Sequence, residues 1–292
     1  DYHLSAQSAA ISAGVEQLSI NGVTYTAPAR DMDGVLRPNP IATILDLGAY
    51  EHENGVGPYD GPVWYVNGAE ALPYGNGSVS APYSMISSAI GAAESGDTVH
   101  VAAATYVENI NFNGKNIAVI GANRETTIID GNQSGTVVTF ENGEDSTAVL
   151  SGFTLQNGSG TLNGSNTVGG GVFINSNDSQ PTLEYLKIIN NTATQGGGVY
   201  IDYYSGVYLS NCQISNNTAG YGAGIRMVSS NVTNPIISLE NVQITNNTAN
   251  QWGGGISMGY SSPILKNCII SDNVANGDMG GGIFTAGGNP VF

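Results

Sequence analysis

Few residues of this chain have basic side chains that could act as a catalytic proton acceptor. The chain has seven Lys plus Arg and three His in 292 residues. Its second half is repetitive, and the basic residues there, Lys187, Arg226 and Lys266, occupy three different positions of the repeat. No paired carboxylates recur along one strand, although general acid–base chemistry needs groups held close together. We therefore expect no catalytic residues and predict that the protein is not an enzyme.

Aromatic side chains recur beside short glycine-rich clusters and could form a binding surface. One position after each cluster is predicted to point outward and carries, in successive repeats, Phe173, Tyr200, Arg226, Ser257 and Phe284. The position just before each cluster carries Val168, Gln195, Tyr221, Trp252 and Met279. Aromatic rings at this spacing can stack on sugar rings or on another protein. They can also stack only on each other and stabilise the outside of the fold, and both alternatives stay open.

A short acidic motif near the N-terminus resembles the start of a calcium-binding loop. Asp31 and Asp33 alternate and are followed by Gly34, so that their carboxylates could reach one hard cation. The twelfth position of such a loop is Ala42, whereas a complete EF-hand loop has Glu there. The motif therefore predicts either a calcium site or a turn whose backbone is hydrogen-bonded by Asp side chains.

The overall charge limits the partners that this chain can have. The formal net charge is −16 at pH 7. A nucleic-acid-binding protein needs a basic face, so we exclude nucleic acid as a partner. No apolar run approaches the roughly 20 residues that cross a bilayer, so we predict no transmembrane segment. An acidic surface suits an extracellular protein, and the missing initiator Met predicts a processed chain or a piece of a longer one.

The second half of the chain contains four aligned segments, at residues 183–201, 209–227, 239–258 and 265–285. Their glycine-rich clusters begin at residues 196, 222, 253 and 280, so successive spacings are 26, 31 and 27. Periods of this length indicate a solenoid. Apolar and polar residues alternate within each repeat, which is typical of strands. The pattern predicts an all-β parallel β-helix in which each strand pairs with its equivalent one coil, about 4.8 Å, away.

Asparagine and cysteine also recur at fixed positions of the repeat. Stacked amides are predicted to bond from coil to coil in a ladder formed by Asn191, Asn217, Asn247 and Asn273. Asn also tolerates the left-handed backbone of a tight turn, and the glycine-rich clusters predict a second corner. Cys212 and Cys268 occupy one repeat position two coils apart. That separation of roughly 9–10 Å is too long for a disulfide, so we expect two buried thiols.

The chain divides into four predicted regions. Residues 1–55 lack the repeat and form an N-terminal extension, and residues 56–62 are a linker that contains Gly and Pro. Residues 63–97 are predicted to be an N-terminal cap, with a short amphipathic helix at residues 82–95. Residues 98–292 are predicted to form the β-helix, whose exposed first strand edges the cap would cover.

Residues 89–135 resemble the opening of right-handed parallel β-helix proteins of the pectate-lyase-like superfamily, and read AIGAAESGDTVHVAAATYVENINFNGKNIAVIGANRETTIIDGNQSG. The repeats have the form I-x-N-N-T-A-x(3)-G-G-G-V and are similar to those of secreted bacterial β-helix proteins and of polymorphic outer-membrane adhesins. The resemblance covers residues 63–292 and implies a location outside the cell or at its surface. Because this fold carries enzymes, adhesins and fibres, it does not by itself imply an activity. A lyase of this superfamily would need Arg226 beside acidic residues in a groove.

Residues 1–55 resemble the closing segment of such β-helix proteins, through DYHLSAQSAAISAG and DMDGVLRPNPIATILDLGAYE. That segment normally comes last, whereas here it comes first and the sequence stops in the middle of a coil, at Val291 and Phe292. The main prediction is therefore an extracellular structural protein that self-associates head to tail into filaments, with residues 1–55 of one copy covering the open edge of the next. The alternatives are an adhesin or carbohydrate-binding module, either on its own or as a fragment of a giant tandem protein, and a polysaccharide lyase.

Overall fold

The structure is a computed structural model that describes residues 10–11, 13–20, 23–33, 35–38, 45–47, 57–69, 75–175, 178–228 and 236–292. Several positions that the sequence singles out lie outside the described residues. These are His3 and His52, two of the three His, and Gly34 and Ala42 of the acidic motif. Residue 56 of the predicted linker and a large share of residues 1–55 also lie outside them.

Residues 63–292 form a solenoid whose coils stack into four sheets, here called sheets I to IV in the order in which each complete coil visits them. Sheet I consists of Val63–Val66, Thr98–Val101, Ala118–Gly121, Val149–Ser151, Thr182–Glu184, Val207–Ser210, Ile237–Glu240 and Ile264–Lys266. Sheet II consists of Thr105–Val107, Ile128–Asp130, Thr154–Gln156, Lys187–Ile189, Gln213–Ser215, Gln243–Thr245 and Ile269–Ser271.

The other two sheets complete each coil. Sheet III consists of Thr161–Asn163, Asn166–Val168, Thr192–Gln195, Thr218–Tyr221, Thr248–Trp252 and Val274–Ala275. Sheet IV consists of Ile110–Asn111, Val138–Phe140, Val172–Ile174, Val199–Ile201, Ile225–Val228, Ile256–Gly259 and Ile283–Thr285. All pairings in the four sheets are parallel except that of Thr161–Asn163 with Asn166–Val168, which forms an antiparallel hairpin, here called the cover hairpin. The predicted all-β parallel β-helix is confirmed.

The core is built from stacks of identical or similar apolar side chains. In sheet II, Ile188 pairs with Ile214 and Ile214 with Ile244, and all three are fully buried. Ile201 and Met227 form a comparable stack in sheet IV, as their alternation with outward positions predicts. Because each coil repeats the same inward positions, the apolar core runs continuously along the solenoid.

The solenoid begins earlier than the predicted boundary at residue 98. Val63–Val66 pairs in parallel with Thr98–Val101, so it is the first strand of sheet I, and Trp64 and Val66 lie in the core. The helix α1 spans Ile86–Ala92 and is shorter than the predicted 82–95. Its predicted first turn is extended instead, because Tyr83 exchanges backbone hydrogen bonds with Tyr65 and Asn67 of the first strand.

Two charged side chains of the solenoid hold the ends of α1. The Glu108 carboxylate accepts the backbone N–H groups of Ile86 and Ser87 at 2.8 and 3.0 Å. The Lys115 ammonium donates to three carbonyl oxygens near the other end, those of Ile90, Gly91 and Ala93, at 2.7 Å each. An anion at the N-terminus and a cation at the C-terminus satisfy the free backbone groups of a helix and its dipole. These bonds, with the burial of Ile86 and Ile90, place α1 over the first coils.

The described part of the N-terminal extension is a small antiparallel unit. Gln17–Ile20 pairs with Val23–Thr26, and every residue of both strands is exposed. Gly14 donates its backbone N–H to the Leu45 carbonyl, which joins the two ends of the described segment. Among the helices of the described residues, none is long and apolar enough to cross a membrane.

Candidate binding surface at the glycine bend

Each glycine-rich cluster makes a bend between sheet III and sheet IV. Its first glycine has a positive φ, which is 64° at Gly196 and 58° at Gly222. A Cβ atom at Gly222 would lie 2.5 Å from the carbonyl oxygen of Ile225, so only glycine fits this position. The bend also brings the two columns close together, because a Cβ at Gly222 would lie 2.9 Å from the Cα of Arg226 and the Trp252 and Phe284 ring centroids are 5.1 Å apart. The two columns of side chains singled out in the sequence therefore face each other across the bend.

Three aromatic rings, here called the aromatic strip, lie along the open part of the bend. The Trp252 ring packs edge-on against Tyr221, with centroids 5.2 Å apart, and lies 5.1 Å from the Phe284 ring. Trp252 is 36% exposed, and Tyr221 and Phe284 are half-buried. Met279 pairs with Trp252 one coil further on and is exposed. The strip therefore joins successive coils and presents part of each ring to solvent.

The prediction that Phe173 and Tyr200 belong to an accessible surface is wrong. Their exposed fractions are 3% and 5%, and they form a buried cluster with Val168. Val168 lies in the cover hairpin, which is formed by the chain directly before the glycine cluster at residues 169–171. The Phe173 and Tyr200 ring centroids are 5.8 Å apart, so here the aromatic column packs on itself under the hairpin.

Arg226 lies at the junction between the covered and the open parts of the bend. It pairs with Tyr200 on one side and with Ser257 on the other, and its Nη1 donates to the Ser257 hydroxyl at 2.7 Å. Its Nε atom is buried and has no hydrogen-bond partner. Burial lowers the pKa of the guanidinium, and the nearby Tyr200, Tyr203 and Tyr221 hydroxyls oppose that shift. The protein thus leaves this half-buried cation only partly satisfied.

The neighbouring acidic group is held away from this cation by other contacts. Asp202 is 7% exposed, and its Oδ1 accepts the Tyr203 backbone N–H at 2.8 Å. Its Oδ2 accepts a bond from Asn163 of the cover hairpin at 3.4 Å. Burial raises the pKa of Asp202. Burial is also the main cause that raises the pKa of Tyr200, and the nearby Asp202 charge adds to it.

The basic residues of the repeats do not gather into one site. Lys187 forms an ion pair with Glu125, and Lys266 pairs with Glu240 at 2.8 Å. Within the described part of the chain, no carboxylate lies within ion-pair distance of the Arg226 guanidinium. The arrangement that would favour a lyase, Arg226 beside acidic residues, is therefore not seen among these residues.

The four stacked asparagines form a hydrogen-bonded ladder inside the solenoid. The Oδ1 atom of Asn217 accepts the backbone N–H and the Nδ2 of Asn191, at 3.0 and 3.1 Å. Asn247 does the same for Asn217, and Asn273 for Asn247. Asn191, Asn217 and Asn247 are fully buried, so their amides serve the fold and are not open to a ligand. The preceding residues, such as Asn190 and Asn216, have φ of 56°, as a left-handed turn requires.

The acidic motif of the extension has the geometry of a turn. Asp31 Oδ1 accepts the backbone N–H groups of Asp33 and Val35 at 2.9 and 2.8 Å. A search of the described residues finds no group of three or more His, Cys, Asp or Glu side chains that could hold a metal ion. This geometry favours the turn over the calcium site as the role of Asp31, and calcium binding stays a prediction.

The two thiols are free, but they differ in burial. Cys212 is 1% exposed, and burial raises the pKa of its thiol to about 12. Cys268 is half-buried, so the expectation that both thiols are buried is wrong for Cys268. It belongs to the C-terminal coil of the described residues, where Ile270 and Ile283 are also only partly buried. Val291 pairs with Ile264 at that edge, and the exposed fractions of Val291 and Phe292 are 58% and 76%.

Sequence reasoning missed a cavity on the outer face of sheet I. It measures about 460 Å³ and is lined in part by Tyr65, Val79, Pro82, His100 and Ile120. Tyr65, His100 and Ile120 occupy one outward register position in three successive coils. The sequence did not indicate this cavity, because Val79 and Pro82 come from a loop that reaches His100 and Ile120 only in the folded chain.

The match to a protein-family model agrees with this architecture. Residues 99–292 match the family described as "Right handed beta helix region". The solved structure of pectin methylesterase PemA from Erwinia chrysanthemi aligns with 10% identity and a TM-score of 0.45, over 76% of this chain and 80% of that one. A pectin methylesterase in complex with hexasaccharide VII aligns with 10% identity, the same coverage and a TM-score of 0.44. No curated protein matches the sequence significantly. Because the family match spans more than half of the residues, the chain belongs to the right-handed β-helix family.

Proposed function

We propose that this protein is an extracellular binding module that holds a carbohydrate chain along the aromatic strip. The observation that carries the proposal is the exposed Trp252 ring between Tyr221 and Phe284, at centroid distances of 5.2 and 5.1 Å. Aromatic rings with a polar edge are suited to ligands that have both apolar faces and hydroxyl groups. Successive coils lie about 4.8 Å apart, a spacing similar to the length of one pyranose unit, so neighbouring rings can serve neighbouring sugars.

Polar groups beside the strip fit the same kind of ligand. The Tyr221 hydroxyl bonds to the exposed Gln251 side chain at 2.7 Å, and Asn250 next to it is exposed. Hydroxyl and amide groups of this kind donate and accept hydrogen bonds and can therefore bind sugar hydroxyls. The covered rings of Phe173 and Tyr200 have no such access, so the proposed site is confined to the open part of the bend.

The test compares Trp252→Ala, Trp252→Phe and Tyr185→Ala. Tyr185 is 52% exposed but lies between sheets I and II, away from the strip, so its variant is a matched control for loss of an exposed ring. Affinity electrophoresis against a panel of neutral and acidic polysaccharides is the measurement. We expect Trp252→Ala to lose at least tenfold in affinity for the retained polysaccharide, Trp252→Phe to keep most of it, and Tyr185→Ala to behave as wild type. Equal retention of all variants would contradict the proposal.

A second candidate function is head-to-tail self-association of the chain. The observation that favours it is the last coil, where Val291 begins to pair with Ile264 and the apolar side chains are partly exposed. An uncovered strand edge can be extended by a strand from another chain. In this proposal residues 1–55 of one copy supply that strand to the next, and a contact between two different surfaces continues as a fibre unless it closes a ring.

Sedimentation velocity and negative-stain microscopy test the second candidate. We expect the full chain to show concentration-dependent growth into filaments and a variant that lacks residues 1–55 to form none. Because Trp252 lies in the coil before the last one, Trp252→Ala is expected to assemble as the wild type does. A monodisperse monomer at all concentrations, or filaments that persist after the deletion, would contradict self-association through the extension.

A further inference from the structure

We propose that Arg226 forms an anion-binding subsite at the closed end of the aromatic strip, so that the surface recognises the end of a saccharide chain that carries a carboxylate or sulfate group. This inference rests on the proposed carbohydrate-binding function and narrows its ligand class. It depends on two features of the bend. These are the incompletely satisfied guanidinium of Arg226 and the cover hairpin beside it.

The first feature is the state of the Arg226 cation. A guanidinium has five N–H donors, and among the described residues the one hydrogen bond of Arg226 runs from Nη1 to the Ser257 hydroxyl. The Nε atom is buried without a partner, and among the described residues no carboxylate lies within ion-pair distance. A half-buried charge without a counter-ion is costly, whereas a carboxylate or sulfate can receive two parallel bonds from a guanidinium. A ligand anion at the accessible edge of Arg226 would supply the missing counter-ion.

The second feature is the position of Arg226 within its column. Along sheet IV the outward column runs Phe173, Tyr200, Arg226, Ser257 and Phe284, by parallel register pairs. The first two members are buried with Val168 of the cover hairpin, while Phe284 lies in the open strip. Arg226 is therefore the last member before the covered part. Beyond Arg226 the column is buried, so its rings offer no open surface to a chain that lies on Trp252 and Tyr221.

Contacts of the hairpin indicate that it is a fixed boundary rather than a loose loop. Asn166–Val168 joins sheet III next to Thr192–Gln195, and the Thr167 and Thr194 hydroxyls are 3.1 Å apart. On its other strand, the Thr161 hydroxyl bonds to that of Thr136 at 2.9 Å, and Asn163 reaches Asp202. Asp202, a buried carboxylate near Tyr200, is thus bonded to Asn163 of the hairpin and to the Tyr203 backbone, and it forms no ion pair with Arg226.

Isothermal titration calorimetry on the full chain tests the subsite with two probes. The first is inorganic sulfate, with chloride at matched ionic strength as the reference. The second is a pair of trisaccharides of one composition, with the uronate at the terminus or in the middle, and a terminally sulfated trisaccharide separates sulfate from carboxylate as the source of the anion. The variants are Arg226→Gln, Arg226→Lys and Lys266→Gln, the last removing an exposed lysine outside the bend.

We expect saturable sulfate binding by the wild type, a loss of at least tenfold in Arg226→Gln, partial recovery in Arg226→Lys and no change in Lys266→Gln. The terminally charged trisaccharides should bind at least tenfold more tightly than the one with an internal uronate. Equal binding by Arg226→Gln and wild type would overturn the subsite, and equal affinity for terminal and internal uronates would overturn end recognition. Circular dichroism checks that each variant is folded. If Arg226→Gln does not fold, Arg226→Lys, which keeps the charge, is the variant compared with the wild type.

Failure of this inference can be told apart from failure of the proposed function. If Trp252→Ala abolishes binding of a neutral trisaccharide while Arg226→Gln leaves sulfate and the charged trisaccharides unaffected, the strip binds sugars and the subsite is refuted. If Arg226→Gln abolishes sulfate binding while Trp252→Ala leaves every saccharide affinity unchanged, the subsite stands and the aromatic strip is refuted.

Discussion

The covered and the open parts of the glycine bend are built from the same repeat positions but have opposite relations to solvent. Phe173 and Phe284 occupy one column of sheet IV, yet Phe173 is 3% exposed and packs under the cover hairpin, while Phe284 is half-buried beside the exposed Trp252. Phe173 is buried because Val168 of the cover hairpin and Tyr200 of the next coil pack against it. A repeat position thus predicts which way a side chain points, but neighbouring loops determine whether anything can reach it.

The largest effect is expected in the core that both parts share. Ile214→Asp places a charge without a partner in the fully buried stack with Ile188 and Ile244. We expect a loss of at least about 4 kcal/mol of unfolding free energy, enough to prevent folding, measured as loss of soluble protein and of the strand signal in circular dichroism. Ile214→Val is the control and should cost only about 1 kcal/mol. A stable Ile214→Asp variant would contradict the inward assignment.

The next effect concerns the asparagine ladder, which runs beside the open part of the bend. Asn217→Ala removes the acceptor of two bonds from Asn191 and the donor to Ile188 and Asn247. Because buried groups would lose their partners, we expect a destabilisation of about 3 kcal/mol in urea unfolding. Asn216→Gly changes the adjacent residue, which has φ of 56°, and should be close to neutral since glycine adopts that geometry freely. Similar costs for the two variants would argue against a ladder.

A pair of equivalent substitutions sharpens the comparison directly. Phe173→Ala should lower the unfolding free energy by about 3–4 kcal/mol because it empties a fully packed position. Phe284→Ala should lower it by only about 1–2 kcal/mol because Phe284 is half-buried. Saccharide affinity should follow the reverse order, with the loss confined to Phe284→Ala. Urea unfolding and affinity electrophoresis on the same samples measure both. The covered and open parts would not differ in role if both variants lost stability and affinity equally.

The smallest effect leaves stability unchanged and compares an inner coil with the last one. The thiolate is the reactive form of cysteine, and burial raises the pKa of Cys212 to about 12, whereas Cys268 is half-buried. We expect a maleimide to label the native protein slowly and at one site, Cys268, and to label Cys212 only after denaturation. Mass spectrometry of the labelled protein and of Cys268→Ser measures this. Native labelling that persists in Cys268→Ser would contradict the burial of Cys212.

The repeat pattern predicted most of the fold because each coil repeats the same local chemistry. Alternating residues around Ile188 and Ile214 predict strands with one buried face, and a period of 26 to 31 residues leaves a solenoid as the simplest way to bury that face. The same regularity predicted which asparagines stack, since equivalent positions of adjacent coils must lie side by side. The helix was predicted too long because the extended geometry of Tyr83 depends on the first strand, which is distant from it in the sequence.

Local composition is therefore enough to specify strands, corners and the inward side chains of this protein, since these depend on period-two alternation and on backbone geometry that Asn and Gly allow. Local composition does not specify which side chains are accessible to solvent. Whether Phe173, Tyr200 or Trp252 meets solvent depends on which segments pack against each ring, and the lack of a hydrogen-bond partner for the buried Arg226 Nε among the described residues depends on the folded segments around it. These features arise from contacts between segments far apart in sequence, and such contacts exist only once the coils have stacked.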